Sequence, residues 1–312
     1  MISIVVPVYN KEAHIRNTLL SVVRQTSPDW EAVVVDDGST DASMEQVRSV
    51  NDGRIRILTQ ANAGPGAARN HGAAEARGDV VCFLDADDEF LPGFVECHTR
   101  RLQENPECAM SIGGYLMGPD RTPNPAAAAA RDWPTGVWDI TQTRTPRDDL
   151  FDLAGWLCHS GAIACRREAF LGAGGFYHRN RCLYGEDHAL WVTMLLCHKA
   201  YLDLTPLMWL NTEASELGIA RQGHQPPRPI LTDPGWVRDR IPPERRGLFR
   251  SLRARHALLY ARQCQGQGRW LEAWTMLAVA AGDWRQWPGV VQRAAGLTRA
   301  WVVNPHPIRP GA

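Results

Sequence analysis

The chain of 312 residues has no apolar run approaching the roughly 20 residues a membrane-crossing helix needs. Its best candidate, Met276 to Ala281, is short and flanked by charge. It has no excess of either charge, with 34 basic against 34 acidic side chains. The overall balance therefore argues neither for nucleic acid nor for an acidic surface, and any basic partner site must be local. The eight cysteines stand singly, without C-x-x-C spacing, and no leader precedes a strand that starts at about Ile2. The expectation is reduced thiols in a cytoplasmic setting, with neither disulfides nor zinc. What the sequence does have is 44% apolar residues, ample for a large core.

The first hundred residues alternate strand and helix signals. Strands are expected at Ile2 to Val8, Glu31 to Val35, Ile55 to Leu58 and Val80 to Leu84, with helices through Ile15 to Val23 and Pro65 to Ala76. Such a β/α pattern implies an α/β fold with a mainly parallel sheet flanked by helices. Between Gly113 and Asp149 prolines and the alanine run from Ala126 to Ala130 break the pattern, which reads as an excursion. Order returns near Ala162 to Ala164, in a helix from Arg167 to Leu171, and in another from about Asp187 to Cys197.

Prolines 226, 227, 229 and 234 place a linker at 223–235, after a first domain of 1–222. A C-terminal helical extension follows at 236–303, with helices at Arg245 to Gln265, Arg269 to Ala281 and Gln286 to Val303, and then a flexible tail, 304–312. In the last helix Trp287, Val291, Ala294, Leu297 and Trp301 share one face, set apart from Arg285, Arg293 and Arg299. Two readings stay open: an amphipathic helix packed on the body, or a peripheral contact with an anionic membrane at its inner face.

The run Phe83-Leu84-Asp85-Ala86-Asp87-Asp88 carries the most chemistry. It brings acids out at the carboxyl edge of a buried strand, where open α/β sheets bind ligands. Carboxylates clustered there suit Mg2+ or Mn2+ holding phosphate oxygens. The alternative role for Asp87 or Asp88 is to cap a helix running through Phe90, Phe94 and Leu102. Gly64-Pro65-Gly66-Ala67-Ala68-Arg69 superficially echoes a dinucleotide fingerprint, but arginine stands at the third glycine and the run follows the third strand instead of the first.

Five segments in order, Val6-Pro7-Val8-Tyr9-Asn10, Val35 to Asp41, Asn62 to Asn70, Asp85-x-Asp87-Asp88 and Gly185-Glu186-Asp187, closely resemble the family 2 glycosyltransferases. That resemblance covers roughly residues 2–200 and implies a GT-A fold and a metal-dependent, inverting transfer from a nucleotide-diphosphate sugar to a glycan or lipid-linked acceptor in cell-surface polysaccharide assembly. It implies that Pro7, Tyr9 and Asn10 line the nucleotide, that Asp37, with Asp36 beside it, reads the base, and that Gly64 and Arg69 belong to a second nucleotide loop. It further implies Asp85 near the ribose, Asp87 on the metal with Asp85 and Asp88 assisting, and Asp187 as catalytic base beside Glu186. Trp156 and His159 precede the strand that backs the acceptor in relatives and are the acceptor candidates.

The chain departs from the family pattern in two places. The arginine many relatives carry about seven residues after the catalytic aspartate is missing from His188 to Met194, and the Tyr-Arg-x-His segment is replaced by Met208 to Ser215. Asn211, Glu213 and His224 are the candidates for a third metal ligand, and Lys199 for the lost positive charge. The alternative function is a non-catalytic sugar-nucleotide or glycan-binding relative. A nucleotidyltransferase would open on a glycine-rich triphosphate loop, where this chain has Pro7-Val8-Tyr9-Asn10.

Overall fold

The structure is a computed structural model that describes residues 1–124, 133–214 and 225–303. The alanine run, His224 and the 304–312 tail lie outside the described residues, as do the side chains of Trp284 and of residues 296–303.

The amino-terminal strands are β1 (Ile2–Val8), β2 (Trp30–Asp36), β3 (Ile55–Thr59) and β4 (Val80–Phe83), separated by α1 (Ile15–Val23), α2 (Ser43–Ser49) and α3 (Pro65–Glu75). They lie parallel in the order β3-β2-β1-β4. After β5 (Glu89–Phe90) and α4 (Phe94–Glu104) come β6 (Cys108–Met117), β7 (Thr122–Pro123) and β8 (Gly136–Trp138). Next are α5 (Pro146–Asp152), a π-helical turn at Leu153–Leu157, β9 (Ile163–Arg166), α6 (Arg167–Gly172), α7 (Glu186–Cys197) and β10 (Lys199–Leu210). The sheet continues β4-β9-β6-β10-β5. Only β9 interrupts its parallel interior, pairing antiparallel with both β4 and β6. The carboxyl ends of β1, β2, β4, β6 and β10 therefore reach the same edge.

Period-two alternation puts Val5, Val33, Val35 and Phe83 on one face, against α3 and α7, and Ile4, Val6, Val34 and Leu84 on the other, against α1 and α4. β10 bulges between Asp203 and Pro206, opposite Gly113 and Gly114. A Cβ on Gly114 would lie 2.0 Å from the Leu204 carbonyl oxygen, so the bulge requires glycine there.

Two expectations are corrected. Glu89 and Phe90 form an edge strand and α4 starts only at Phe94, after Gly93, so neither Asp87 nor Asp88 caps it. Residues 229–235 are also not a spacer: α8 (Pro229–Thr232) buries Ile230 and Leu231 in the same core as Val5 and Trp191. Pro229 sits at the first helical position, where its missing N–H leaves no hydrogen bond unmade. After α9 (Gly235–Arg238), the helices α10 (Arg246–Gly266), α11 (Trp270–Ala280) and α12 (Trp287–Val303) follow, within one or two residues of the expected bounds. Phe249, Leu252, Ala257 and Leu277 extend the sheet's core without a break. No helix of the described residues is long and apolar enough to cross a membrane, and all eight cysteines are free thiols.

Candidate active site

Register sets the site. Val8 pairs with Asp36 and Val5 with Phe83, so Tyr9-Asn10, Asp36-Asp37 and Asp85 to Asp88 leave the sheet side by side. Tyr9 is half exposed beyond the strand end, with Pro7 just inside it. Asn10 accepts the Thr40 N–H on Oδ1 at 2.9 Å, and its own N–H donates to Ser39 Oγ, which joins the β1 and β2 loops. Asp36 accepts the Ser39 N–H and holds the turn. Asp37 is buried and accepts from Gln60 Nε2 (2.8 Å), Ala63 N (2.9 Å) and Gly64 N (2.9 Å). Much of its acceptor capacity thus fixes the loop leading into α3.

Arg69 is the hub. It is buried on α3, its guanidinium facing the Phe176 ring, and it donates to Asp85 Oδ1 at 2.6 Å and Glu186 Oε1 at 2.9 Å. One planar fork thereby ties the end of β4 to the start of α7. Burial by itself would raise the Asp85 carboxyl, but the charge and hydrogen bond of Arg69 outweigh it and hold Asp85 low. Glu186 goes the other way: burial and the neighbouring Asp187 push it up to about 7 despite Arg69. Asp187 is less buried, and its Oδ1 accepts the His188 N–H at 2.7 Å in the first turn of α7.

Asp87 lies 2.9 Å from Lys11 Nζ, which also donates to the Ala214 carbonyl. Burial and Asp85 raise the Asp87 carboxyl. Asp88 is buried, accepts the Asn211 N–H on Oδ1 and leaves Oδ2 without a hydrogen-bond partner. Burial and the charges of Asp85 and Asp87 drive it well above the usual carboxylate range. Among the described residues no three carboxylate, imidazole or thiol groups converge as a complete metal cage. Crowded acids with an orphaned buried oxygen nonetheless suit a hard cation that takes its other ligands from phosphate and water.

Trp156, on the π-helical turn, is exposed, while its carbonyl accepts from Asn124 Nδ2 at 3.2 Å. His159 Nδ1 accepts the Gly161 N–H, its ring packs on Tyr115, and burial pulls its pKa down against the charges of Asp85 and Asp187. Asn211 meets Asp88 through its backbone, not its side chain. Lys199 opens β10 at the opposite edge, near Asp139, and is too far along the strand to replace a site arginine. Lys11, directly after the Tyr9-Asn10 segment, escaped the sequence reading; Asn70, which closes the Asn62 to Asn70 segment but had no role of its own there, brackets both backbone groups of Phe176 at 2.8 Å.

The sequence model for glycosyl transferase family 2 matches residues 3–172, just over half of the chain. The chain belongs to this family. A Haemophilus influenzae protein named as an uncharacterized glycosyltransferase is 43% identical over 120 residues, 38% of this chain and 48% of the relative. The putative teichuronic acid biosynthesis glycosyltransferase TuaG of Bacillus subtilis is 36% identical over 127 residues, 39% of this chain and 50% of TuaG. The family 2 chain described here thus spans about half the length of these relatives. Among solved structures, S. aureus TarS 1–349 in complex with UDP-GlcNAc aligns with a TM-score of 0.57 at 16% identity, over 82% of this chain and 80% of that one. The mannosyltransferase PcManGT of Pyrobaculum calidifontis, in complex with GDP-Man and Mn2+, aligns at 0.58 and 18%, over 97% and 81%. The shared architecture is the GT-A fold expected from the sequence, with C-terminal helices added.

Proposed function

We propose that this family 2 chain transfers a sugar, of hexosyl or N-acetylhexosaminyl type, from a nucleoside-diphosphate donor to a hydroxyl of a glycan or lipid-linked acceptor in cell-surface polysaccharide assembly. The observation that carries the reading is the Arg69 fork, because it locks the donor-side acid Asp85 and the acceptor-side pair Glu186-Asp187 into one constellation. The nucleotide lies over Pro7, Tyr9 and Asn10, with Asp36, Asp37 and Gly64 framing the base and Asp85 the ribose. An aromatic ring half exposed at a strand end is a suitable stacking surface.

Of the two acids opening α7, Glu186 is engaged by Arg69, whereas Asp187 has Oδ2 available and is the more exposed. Asp187 therefore acts as general base and Glu186 positions it. The acceptor oxygen forms its bond to the anomeric carbon as the bond from that carbon to the diphosphate breaks. The acceptor proton passes to Asp187 and the configuration inverts. The donor sets of the relatives PcManGT (GDP-Man with Mn2+) and TarS (UDP-GlcNAc) support a nucleoside-diphosphate sugar. Asp87 and Asp88 would hold Mn2+ or Mg2+, which when bound supplies charge to the departing diphosphate. Lys11 already contributes one positive charge at Asp87. Trp156 offers an exposed aromatic face to the acceptor sugar, with His159 behind it.

A thermal-shift screen of nucleotide sugars with and without Mn2+ tests the binding half. The proposal expects one donor to stabilise the wild type with metal and to lose that metal dependence in Asp87→Ala. A shift by no donor would move the chain to the class of non-catalytic relatives.

A further inference from the structure

The arginines are unevenly distributed. Between residues 236 and 303 there are twelve arginines, no lysine and four acids, although the whole chain is neutral. Three of those acids are already engaged within the same region, Asp239 by Arg238, Glu272 by Arg269 and Asp283 by Arg285. The same region leaves apolar side chains unburied: Leu271 is 82% exposed, Val291 66% and Trp287 57%, with Trp270 and Trp274 also exposed. Leu271 falls on the side of α11 opposite the Ala273, Leu277 and Ala280 face that packs on the core, and Trp274 flanks that face. Trp287 donates its indole N–H to the Ala281 carbonyl at 3.1 Å, so the ring faces outward without an unmet donor.

Next to Trp287 lies a cavity of about 430 Å3 lined by Arg144, Arg147, Arg255 and Arg285, with a single acid, Asp148, and with Thr145 and Ser251. Arg255 is fixed by Asp148 at 2.8 Å and by stacking on Phe151. Arg144 and Arg147 have no carboxylate partner among the described residues. Arg285 and Gln286 on its wall run directly into Trp287.

We propose that α11, α12 and this cavity form a docking face for an anionic bilayer, with Trp274, Leu271, Trp287 and Val291 entering the headgroup boundary and the arginine cavity taking a lipid phosphate. Exposed tryptophan and leucine with arginine alone as the basic residue is the composition of an interfacial surface, whereas a soluble face of this size would be polar. Arginine forks match phosphate oxygens bidentately. The orientation is also productive. α5 and the π-helical turn run continuously from Pro146 at the cavity to Trp156 beside the candidate acceptor site, about 15 Å at helical rise. A bilayer at the cavity therefore lies within reach of a lipid-linked acceptor, but the docking itself is independent of whether transfer occurs.

Vesicle flotation of the full chain tests this, using phosphatidylcholine alone and mixed with phosphatidylglycerol. Wild type should float with the anionic vesicles only, and less as salt rises from 0.1 to about 1 M. Each arginine near an anionic surface strengthens binding about fivefold, so Arg144→Glu with Arg147→Glu should weaken it by at least about twentyfold. Leu271→Glu with Trp287→Ala should abolish flotation, with melting curves confirming that these exposed substitutions leave the fold intact. Equal binding to both vesicle types, or binding unchanged in either double variant, overturns the proposal. So does a chain that ignores vesicles but self-associates through Leu271, which would make the face a contact between copies.

Discussion

Replacing Arg69 by methionine keeps an unbranched apolar stem, reaching about as far as Nε, but removes the fork that faces Asp85 and Glu186. Both carboxylates face a buried guanidinium, and no other cation is hydrogen-bonded to either one in the described structure. Breaking a buried ion pair by deleting one partner costs about 3–5 kcal/mol, because the remaining charge is left uncompensated. The loss should depend on pH in a defined direction. Glu186 already sits at about 7, above its ordinary value, so the folded state holds its proton over a range where the unfolded chain has released it. The stability this proton contributes is present at low pH and is lost as pH rises through the folded value. Without Arg69 the folded value moves higher still, so the variant should be closest to wild type near pH 5.5 and furthest from it near pH 8.5. Adding Glu186→Gln to Arg69→Met removes one of the two stranded acids and should restore about half of the loss. Urea unfolding followed by tryptophan fluorescence at both pH values, closed as a double-mutant cycle, gives the coupling directly. A loss below about 1 kcal/mol at pH 7.5, or a coupling indistinguishable from zero, would refute the view that one arginine holds the two halves of the site together.

Other expectations follow from single contacts. A Cβ on Gly72 would lie 2.4 Å from Val5 Cγ1 and 3.0 Å from Val35 Cγ2, so Gly72→Ala should lower unfolding stability by about 1–3 kcal/mol as α3 is pushed off the sheet. His98, bonded to Ser111 Oγ, and His256, packed on Phe151, are both driven by burial to about 3. The unfolded chain binds protons below about 6.5 where the folded state does not, so stability falls with pH, by about 2 kcal/mol per histidine between 6.5 and 5. His98→Gln should flatten that acid limb in urea titrations, and an unchanged slope would show that His98 is not held neutral. Asp87→Ala should leave the fold intact while removing Mn2+ dependence from donor binding, measured by calorimetry; retained dependence would reassign the metal to other residues.

The amino-terminal half of the sheet was legible because β1, β2 and β4 are short continuous apolar runs ending in polar turns, and the C-terminal helices because their periodicity survives over 11 to 21 residues. β6 and β10 were not. Cys108–Met117 contains the Gly113-Gly114 pair, and Lys199–Leu210 contains Pro206 and a bulge, features that normally argue against a central strand. Each makes sense only against the other, since the missing Gly114 side chain accommodates the Leu204 carbonyl. The site divides in the same way. Its acids could be found as local motifs, but the Arg69–Glu186 and Lys11–Asp87 pairs join residues 117 and 76 positions apart and depend on the topology that closes them. The proline-rich stretch misled because Pro229 starts a helix instead of ending one.

The role proposed for Asp187 is to take the proton of an attacking hydroxyl at a site that binds a nucleotide sugar. The most direct measurement is release of nucleoside diphosphate from the donor selected by thermal shift, followed with Mn2+ for wild type and for Asp187→Asn. Wild type should release the diphosphate, and the variant should lose at least about a hundredfold in release while keeping donor affinity within a few fold of wild type. Equal release by the two proteins would remove Asp187 from the chemistry, and loss of donor affinity together with release would make it a binding residue.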